Sequence, residues 1–206
     1  MAAARLDHVA GEFDVLLRWR AFPLEYINRR PAPRHIVDQE WPLVAVQEPL
    51  CPCKGWPHEE YIRTTLLAFE AYESAWRQDP EKARRFDLNI RRAFFWEGRR
   101  IDEAEVLCEV AAESGLDAAL LRADLEARKY EETVKADFTE SMRLRDEDGR
   151  DMTSPTLFLP SGEVIHNPYA SEKNIVDGKI TEVFPPPAYG EEVYEGFREI
   201  LRRAQA

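Results

Sequence analysis

The sequence predicts an α/β domain interrupted by a long helical insertion, and three observations predict it. An apolar, β-rich stretch lies near the start, over residues 13–22. Segments with apolar residues at three- and four-residue steps fill the middle of the chain. Two short apolar runs flanking a Pro-Ser-Gly turn, then one amphipathic segment, close it. Strand, loop, helices, hairpin and helix in that order fit one interrupted domain better than two domains in series. At 206 residues the chain is long enough to bury a substantial core.

Taken in order, residues 4–11 read as a turn or two of helix that Gly11 ends. Residues 13–22 carry aromatic and β-branched residues that favour a strand, and Pro23 stops it. Pro23, Pro31 and Pro33 make residues 23–34 a loop. Residues 37–46, around Trp41-Pro42, follow neither period cleanly and are left unassigned. Residues 49–57 are punctuated again and mark the first domain boundary.

From His58 the helical period runs through Tyr61, Ile62, Leu66, Phe69, Tyr72 and Trp76. Asp79-Pro80 caps a second helix with the stripe Phe86, Ile90, Ala93 and Phe94, which Gly98 stops. Asp102 and Glu105 form an acidic capping box for a third, ended by Gly115. Asp117 starts a fourth through Leu120, Leu121 and Leu125, and residues 130–142 form a fifth with Val134 and Phe138 inward. The insertion is therefore placed at 57–130, inside a domain made of 1–56 and 131–206. Residues 167–169 and 185–187 are loops, and residues 193–204 form a closing helix.

The net charge of −11 argues against a nucleic-acid backbone or an anionic membrane as the main partner. No apolar run reaches bilayer-spanning length, and the start lacks the basic-then-apolar plan of a secretion signal. The expected location is cytoplasmic. Three cysteines are too few for a disulfide-built scaffold of this length. Cys108, in Val106-Leu107-Cys108-Glu109-Val110, reads as a small buried hydrophobe on a helix.

Cys51-Pro52-Cys53 is different. Two thiols flanking one residue can close a strained, readily reduced disulfide, and Lys54 next to them favours the thiolate. With His58 they make three ligands where a structural zinc site wants four, so no metal is expected. His8, His35 and His166 stand alone, and no Gly-rich phosphate loop or nucleophile elbow is present in the sequence.

In Thr153-Ser154-Pro155-Thr156-Leu157-Phe158-Leu159-Pro160-Ser161-Gly162 a proline leads into a short strand closed by a turn. From these residues alone, a trans proline opening a strand is the plainer reading. A cis bond would leave the Ser154 backbone ready to pair with an extended peptide or a thiol ligand.

Three segments together resemble a known family. They are Leu17-Arg18-Trp19-Arg20-Ala21-Phe22-Pro23-Leu24, then Arg91-Arg92-Ala93-Phe94-Phe95-Trp96-Glu97-Gly98 with Gly115-Leu116-Asp117, then residues 153–162 with His166-Asn167-Pro168. In order and spacing they look like the DsbA-like thioredoxin fold of bacterial disulfide oxidoreductases. The cytoplasmic branch of that family also holds hydroxychromene-carboxylate isomerases and kappa-class glutathione transferases. The resemblance implies a thioredoxin-like fold with an inserted helical domain, and a cis Pro155 facing a dithiol.

Two departures stand beside the match. Family members begin with a strand running into Cys-x-x-Cys, or a Ser in that place, at the first helix N-terminus, where the thiol pKa is low. This sequence starts after that point, and residues 4–11 match only the end of the first helix. The run Asp146-Glu147-Asp148-Gly149-Arg150-Asp151 also replaces the family's short apolar turn, and acids there would raise a thiol pKa. As a solvated loop they need no function.

The resemblance implies thiol-disulfide oxidoreductase lineage, with Ser154, Pro155 and Thr156 binding a thiol or disulfide of a protein or small molecule. Exchange then uses either a dithiol preceding this chain or Cys51 and Cys53 as the catalytic pair. No resident cofactor is implied, and glutathione or another low-molecular-weight thiol serves as co-substrate. Alternatives are a non-catalytic peptide- or thiol-binding module, or a glutathione-dependent isomerase or transferase. A strand edge left uncovered where the family's first strand runs would invite a homodimer. The coding DNA read in frame upstream of Met1 is expected to encode a strand and Cys-x-x-Cys or Ser-x-x-Cys. An immediate stop codon there removes that expectation.

Overall fold

A helix that turns Leu6, Val9 and Ala10 to one side needs an apolar partner, and α1 (Ala2–Ala10) finds it in the closing helix α9 (Glu191–Gln205). Val193, Phe197, Ile200 and Leu201 recur at three- and four-residue steps on α9 and are buried against α1. Leu159 completes this first core from the hairpin of β1 (Thr156–Phe158) and β2 (Val164–His166). The computed structural model describes residues 1–144, 154–177, 179–185 and 189–205.

Residues 13–22 form no regular secondary structure, and no strand among the described residues pairs with them. The alternation expected of a strand survives: Phe13, Val15, Leu17 and Trp19 pack on the α1–α9 core. What differs is where the amides go. Trp19 N–H donates to Tyr72 Oη (3.0 Å) and Ala21 N–H to Asp137 Oδ2 (3.0 Å). Side chains of the helical block thus take the amides that a ladder would have taken.

The expected loop at residues 23–34 contains a short helix, α2 (Leu24–Asn28), with Pro23 ahead of its first turn. The unassigned stretch is helix α3 (Arg34–Gln47). Val37, Trp41 and Val44 lie four and three residues apart and are buried, so packing outweighs the missing N–H of Pro42 inside the helix. Helix α4 (Leu66–Gln78) starts eight residues later than its periodicity suggests. Trp56 Nε1–H holds Glu60 O (2.7 Å), and Glu25 accepts from both Thr65 N–H (2.7 Å) and Thr65 Oγ1 (3.0 Å). Tyr61 and Ile62 enter the core from irregular chain instead.

Helix α5 (Pro80–Phe95) has the expected cap, Asp79 accepting from Glu81 N–H (3.0 Å) and Lys82 N–H (3.1 Å). Asp117 does the same for α7 (Ala118–Glu126). Helix α6 (Ala104–Glu113) departs from the expected capping box: Asp102 turns to Arg63 N–H (3.0 Å), and Glu103 precedes the first turn. Helix α8 (Glu131–Ser141) ends the block. α4 packs against α5, α6, α7 and α8, around a second core that includes Val37, Trp41, Phe86, Phe94, Leu107 and Leu121. No helix among the described residues is long and apolar enough to cross a membrane.

A hairpin of β3 (Lys173–Val176) and β4 (Lys179–Val183) went unread in the sequence, although Asp177-Gly178 between apolar runs is a strong hairpin signal. It docks on α3, where Gln39 Oε1 accepts from Ile180 N–H (2.8 Å) and Gln47 Nε2 donates to Val183 O. Pro186 and Pro187 lie outside the described residues.

Asp137 offers a direct check on residues 13–22. Its carboxylate also holds Arg20 Nε (2.9 Å), and Asp137→Ala would strand the Ala21 amide in a buried position. The expected loss is about 2 kcal/mol or more by denaturant unfolding, with faster hydrogen exchange at Ala21. An unchanged Ala21 exchange rate would mean that a ladder protects it.

Candidate functional site

Cys51 and Cys53 follow α3 directly. Cys51 N–H returns to Glu48 O (2.8 Å) and Cys53 N–H to Cys51 O (2.6 Å), a tight turn centred on Pro52. Proline suits that centre because its ring fixes φ near the value an inverse γ-turn needs. Lys54 N–H then donates to Phe95 O (3.2 Å) and Trp56 N–H to Asp38 Oδ1 (2.7 Å). These bonds pin the loop between α3 and the last turn of α5.

Both thiols are free, Cys51 buried and Cys53 half-buried. The neighbouring Cys53 thiol is the main reason that the Cys51 thiol is held down, to about 6. Burial opposes the shift, the Met1 amino group supports it, and the Glu48 carboxylate opposes it. Cys51 in turn, with burial, pushes Cys53 up. The pair therefore shares one proton asymmetrically, with Cys51 as the thiolate. The charges acting most on Cys51 are those of Met1 and Glu48, not the adjacent Lys54. On α5, burial works against the Arg91 guanidinium, but Asp87 outweighs it with help from Cys51 and Tyr72.

Glu48 is the hub beneath the loop. Its Oε2 accepts from Arg5 Nε at 2.6 Å, with the two side chains only 4% and 2% exposed. Its Oε1 accepts from Tyr194 Oη (2.9 Å) and Leu50 N–H (3.2 Å). Burial raises the Glu48 carboxyl, but the hydrogen bonds from Arg5, Leu50 and Tyr194 together hold it below the usual carboxylate range. Arg5 also reaches Tyr169 O (3.4 Å), and His8 stacks on Tyr194 with ring centroids 4.8 Å apart. α1, the loop after α3 and α9 thus meet at one buried charge pair.

At the other expected site, the Ser154–Pro155 peptide is cis. Ser154 is exposed, Pro155 is half-buried, and Pro155 O accepts from Asn167 N–H (2.7 Å). Thr156 Oγ1 lies 3.0 Å from His166 Nδ1. Among the described residues no hydrogen bond joins Ser154 or Pro155 to either cysteine. Thr153 and the Asp146–Asp151 run lie outside the described residues. His58 Nε2 is 2.9 Å from Gly98 O, and Cys108 is buried on α6, where burial pushes its thiol up.

Arg5, Glu48 and Tyr194 were missed in the sequence. The signal was there for Arg5, the one charge among the buried positions Ala3, Leu6, Val9 and Ala10 of α1. A buried arginine requires a buried acid. Nothing local marks which acid.

A family model described as thioredoxin matches residues 33–147, from α3 through the dithiol loop to beyond α8. The chain belongs to the thioredoxin family. It is also similar to YwbO, an uncharacterized protein of Bacillus subtilis (strain 168), with 25% identity over 190 residues. That alignment covers 87% of this chain and 88% of YwbO.

Glu48→Gln would leave Arg5 buried without its counter-charge, and the expected cost is about 3–5 kcal/mol in denaturant unfolding. Because the Glu48 pKa is lowered in the folded state, its contribution is complete above the unfolded carboxylate pKa and is lost as pH falls through the folded one. The parent should therefore lose stability on acidification below about pH 4.3, and Glu48→Gln should lose less over the same window. Equal acid slopes would show that the pair contributes nothing.

Proposed function

We propose that the chain is a thiol-disulfide oxidoreductase in which Cys51 is the attacking thiolate and Cys53 the resolving thiol. The observation that carries the reading is the turn at Pro52, which sets two free thiols one residue apart, so that Cys51 is held down and Cys53 keeps its proton. Membership of the thioredoxin family supports the reaction class.

The Cys51 thiolate attacks one sulfur of a substrate disulfide. That S–S bond breaks, one substrate thiolate leaves and takes a proton from water, and a mixed disulfide forms on Cys51. Cys51 then carries no charge, which removes a cause that holds the Cys53 proton. Cys53 deprotonates and attacks Cys51 Sγ, expelling the second substrate thiolate. The substrate disulfide has gained two electrons and two protons, and Cys51 and Cys53 have become a disulfide. Two equivalents of a small thiol such as glutathione, leaving as their own disulfide, restore the dithiol. Ser154, Pro155 and Thr156 are proposed to bind the substrate chain beside the reacting sulfur.

Alkylation by iodoacetamide, followed against pH, should report a Cys51 midpoint near 6. Cys53→Ala removes the neighbouring thiol and should move that midpoint up by a pH unit or more, to about 7 or above. Insulin-disulfide reduction should vanish in Cys51→Ser and persist in Cys108→Ser. A Cys51 midpoint near the ordinary thiol value of about 8.5, with no reduction of insulin, would falsify the assignment.

A further inference from the structure

One cavity lies apart from the dithiol, lined by neither cysteine. It is an open groove of about 630 Å³ between α9 and the strand β2. Ile165, Tyr169 and Ile200 line it, with Glu192, Glu195 and Glu199 beside them and Arg203 at one end. The α9 members fall three and four residues apart, so one helix face runs about 16 Å along the groove. Tyr169 can lie on that face because residue 196 is glycine. A Cβ there would sit 1.8 Å from Tyr169 Oη.

The strand beside the groove has an edge that no strand among the described residues covers. Leu159 N–H bonds to Glu163 O (3.0 Å) and Asn167 N–H to Pro155 O (2.7 Å), which makes 159/163 and 155/167 hydrogen-bonded pairs. The antiparallel alternation then makes 157/165 the next such pair, so Val164 and His166 turn their N–H and C=O groups away from β1. No strand among the described residues takes them. Glu195 and Glu199 are partly answered by Arg198 and Arg202 of the same helix, while Glu192 makes no ion pair among the described residues. Arg203 is itself paired with Glu163, so Glu192 keeps the groove acidic over an apolar floor.

We propose that this groove binds an extended segment of a partner protein, alternating apolar and basic residues, as an added strand along β2. Main-chain groups of the segment would pair with Val164 and His166, its apolar side chains would meet Ile165 and Tyr169, and its basic ones Glu192 and Glu199. A segment of five or six residues spans the length.

The test is fluorescence anisotropy of the whole chain with a labelled Lys-Val-Lys-Val-Lys-Val peptide at physiological salt. A second probe is the same peptide N-methylated at alternate residues, which keeps its charge and loses its ladder donors. The unmethylated probe should bind, and methylation should weaken it about tenfold or more. Glu192→Lys with Glu199→Lys should weaken it to a similar degree, whereas Glu126→Lys with Glu132→Lys, an equal change of charge elsewhere, should alter it less than about twofold. Equal binding of both probes, equal loss in both double variants, or no binding overturns the proposal. So does a dimer in sedimentation equilibrium that excludes the probe, since a second copy would then be the occupant. If the lysine variants do not fold, the methylated probe still decides.

Discussion

One buried charge pair constrains the rest of this molecule. Arg5 and Glu48 meet at 2.6 Å with almost no exposure, 43 residues apart in sequence. Such a pair adds little net stability compared with apolar residues of the same size, but neither charge tolerates the loss of the other. Its consequence here is positional. With Tyr194 on the same carboxylate, it permits one arrangement of α1, α9 and the chain leaving α3. Cys51 follows Glu48 by three residues and is tied back to its carbonyl, so the dithiol inherits that arrangement. Arg5 also holds Tyr169 O, and Tyr169 lies on α9 along the groove, so both candidate sites rest on the same junction.

The asymmetry between the cysteines comes from their surroundings. Cys108 is alone in an apolar helix interface, and burial pushes its thiol up. Cys51 is buried too, but a neighbouring thiol and the Met1 amino group act on it, so the balance reverses. The sequence distance between Cys51 and Cys53 matters because Pro52 turns the chain sharply between them, Cys53 N–H returning to Cys51 O.

Legibility followed the range of the forces involved. Asp79-Pro80, Asp117 and Gly98 mark helix ends through bonds within one turn, and those boundaries were readable. Apolar spacing likewise exposed α4, α5, α7, α8 and α9, and the thioredoxin-like fold was recognisable from the order of its segments. What escaped depended on distant partners. The amides of Trp19 and Ala21 go to Tyr72 and Asp137, so a strand pattern yields a chain without a ladder. Pro42 hid α3, because a missing donor is visible in sequence while the burial of Val37, Trp41 and Val44 that compensates it is not. At the site, Cys51-Pro52-Cys53 stood out as a motif. Lys54 drew attention as the neighbour in sequence, whereas the charges that act on Cys51 most arrive from residues 1 and 48.

The measurement closest to the central claim is the redox equilibrium of the intact chain in mixtures of reduced and oxidised dithiothreitol, trapped with acid and mapped by mass spectrometry. Reversible loss of two hydrogens from the peptide holding Cys51 and Cys53, with Cys108 still a thiol, is the predicted result. Failure of that peptide to oxidise across the whole range, or oxidation that joins Cys108 or a second chain, would contradict the account.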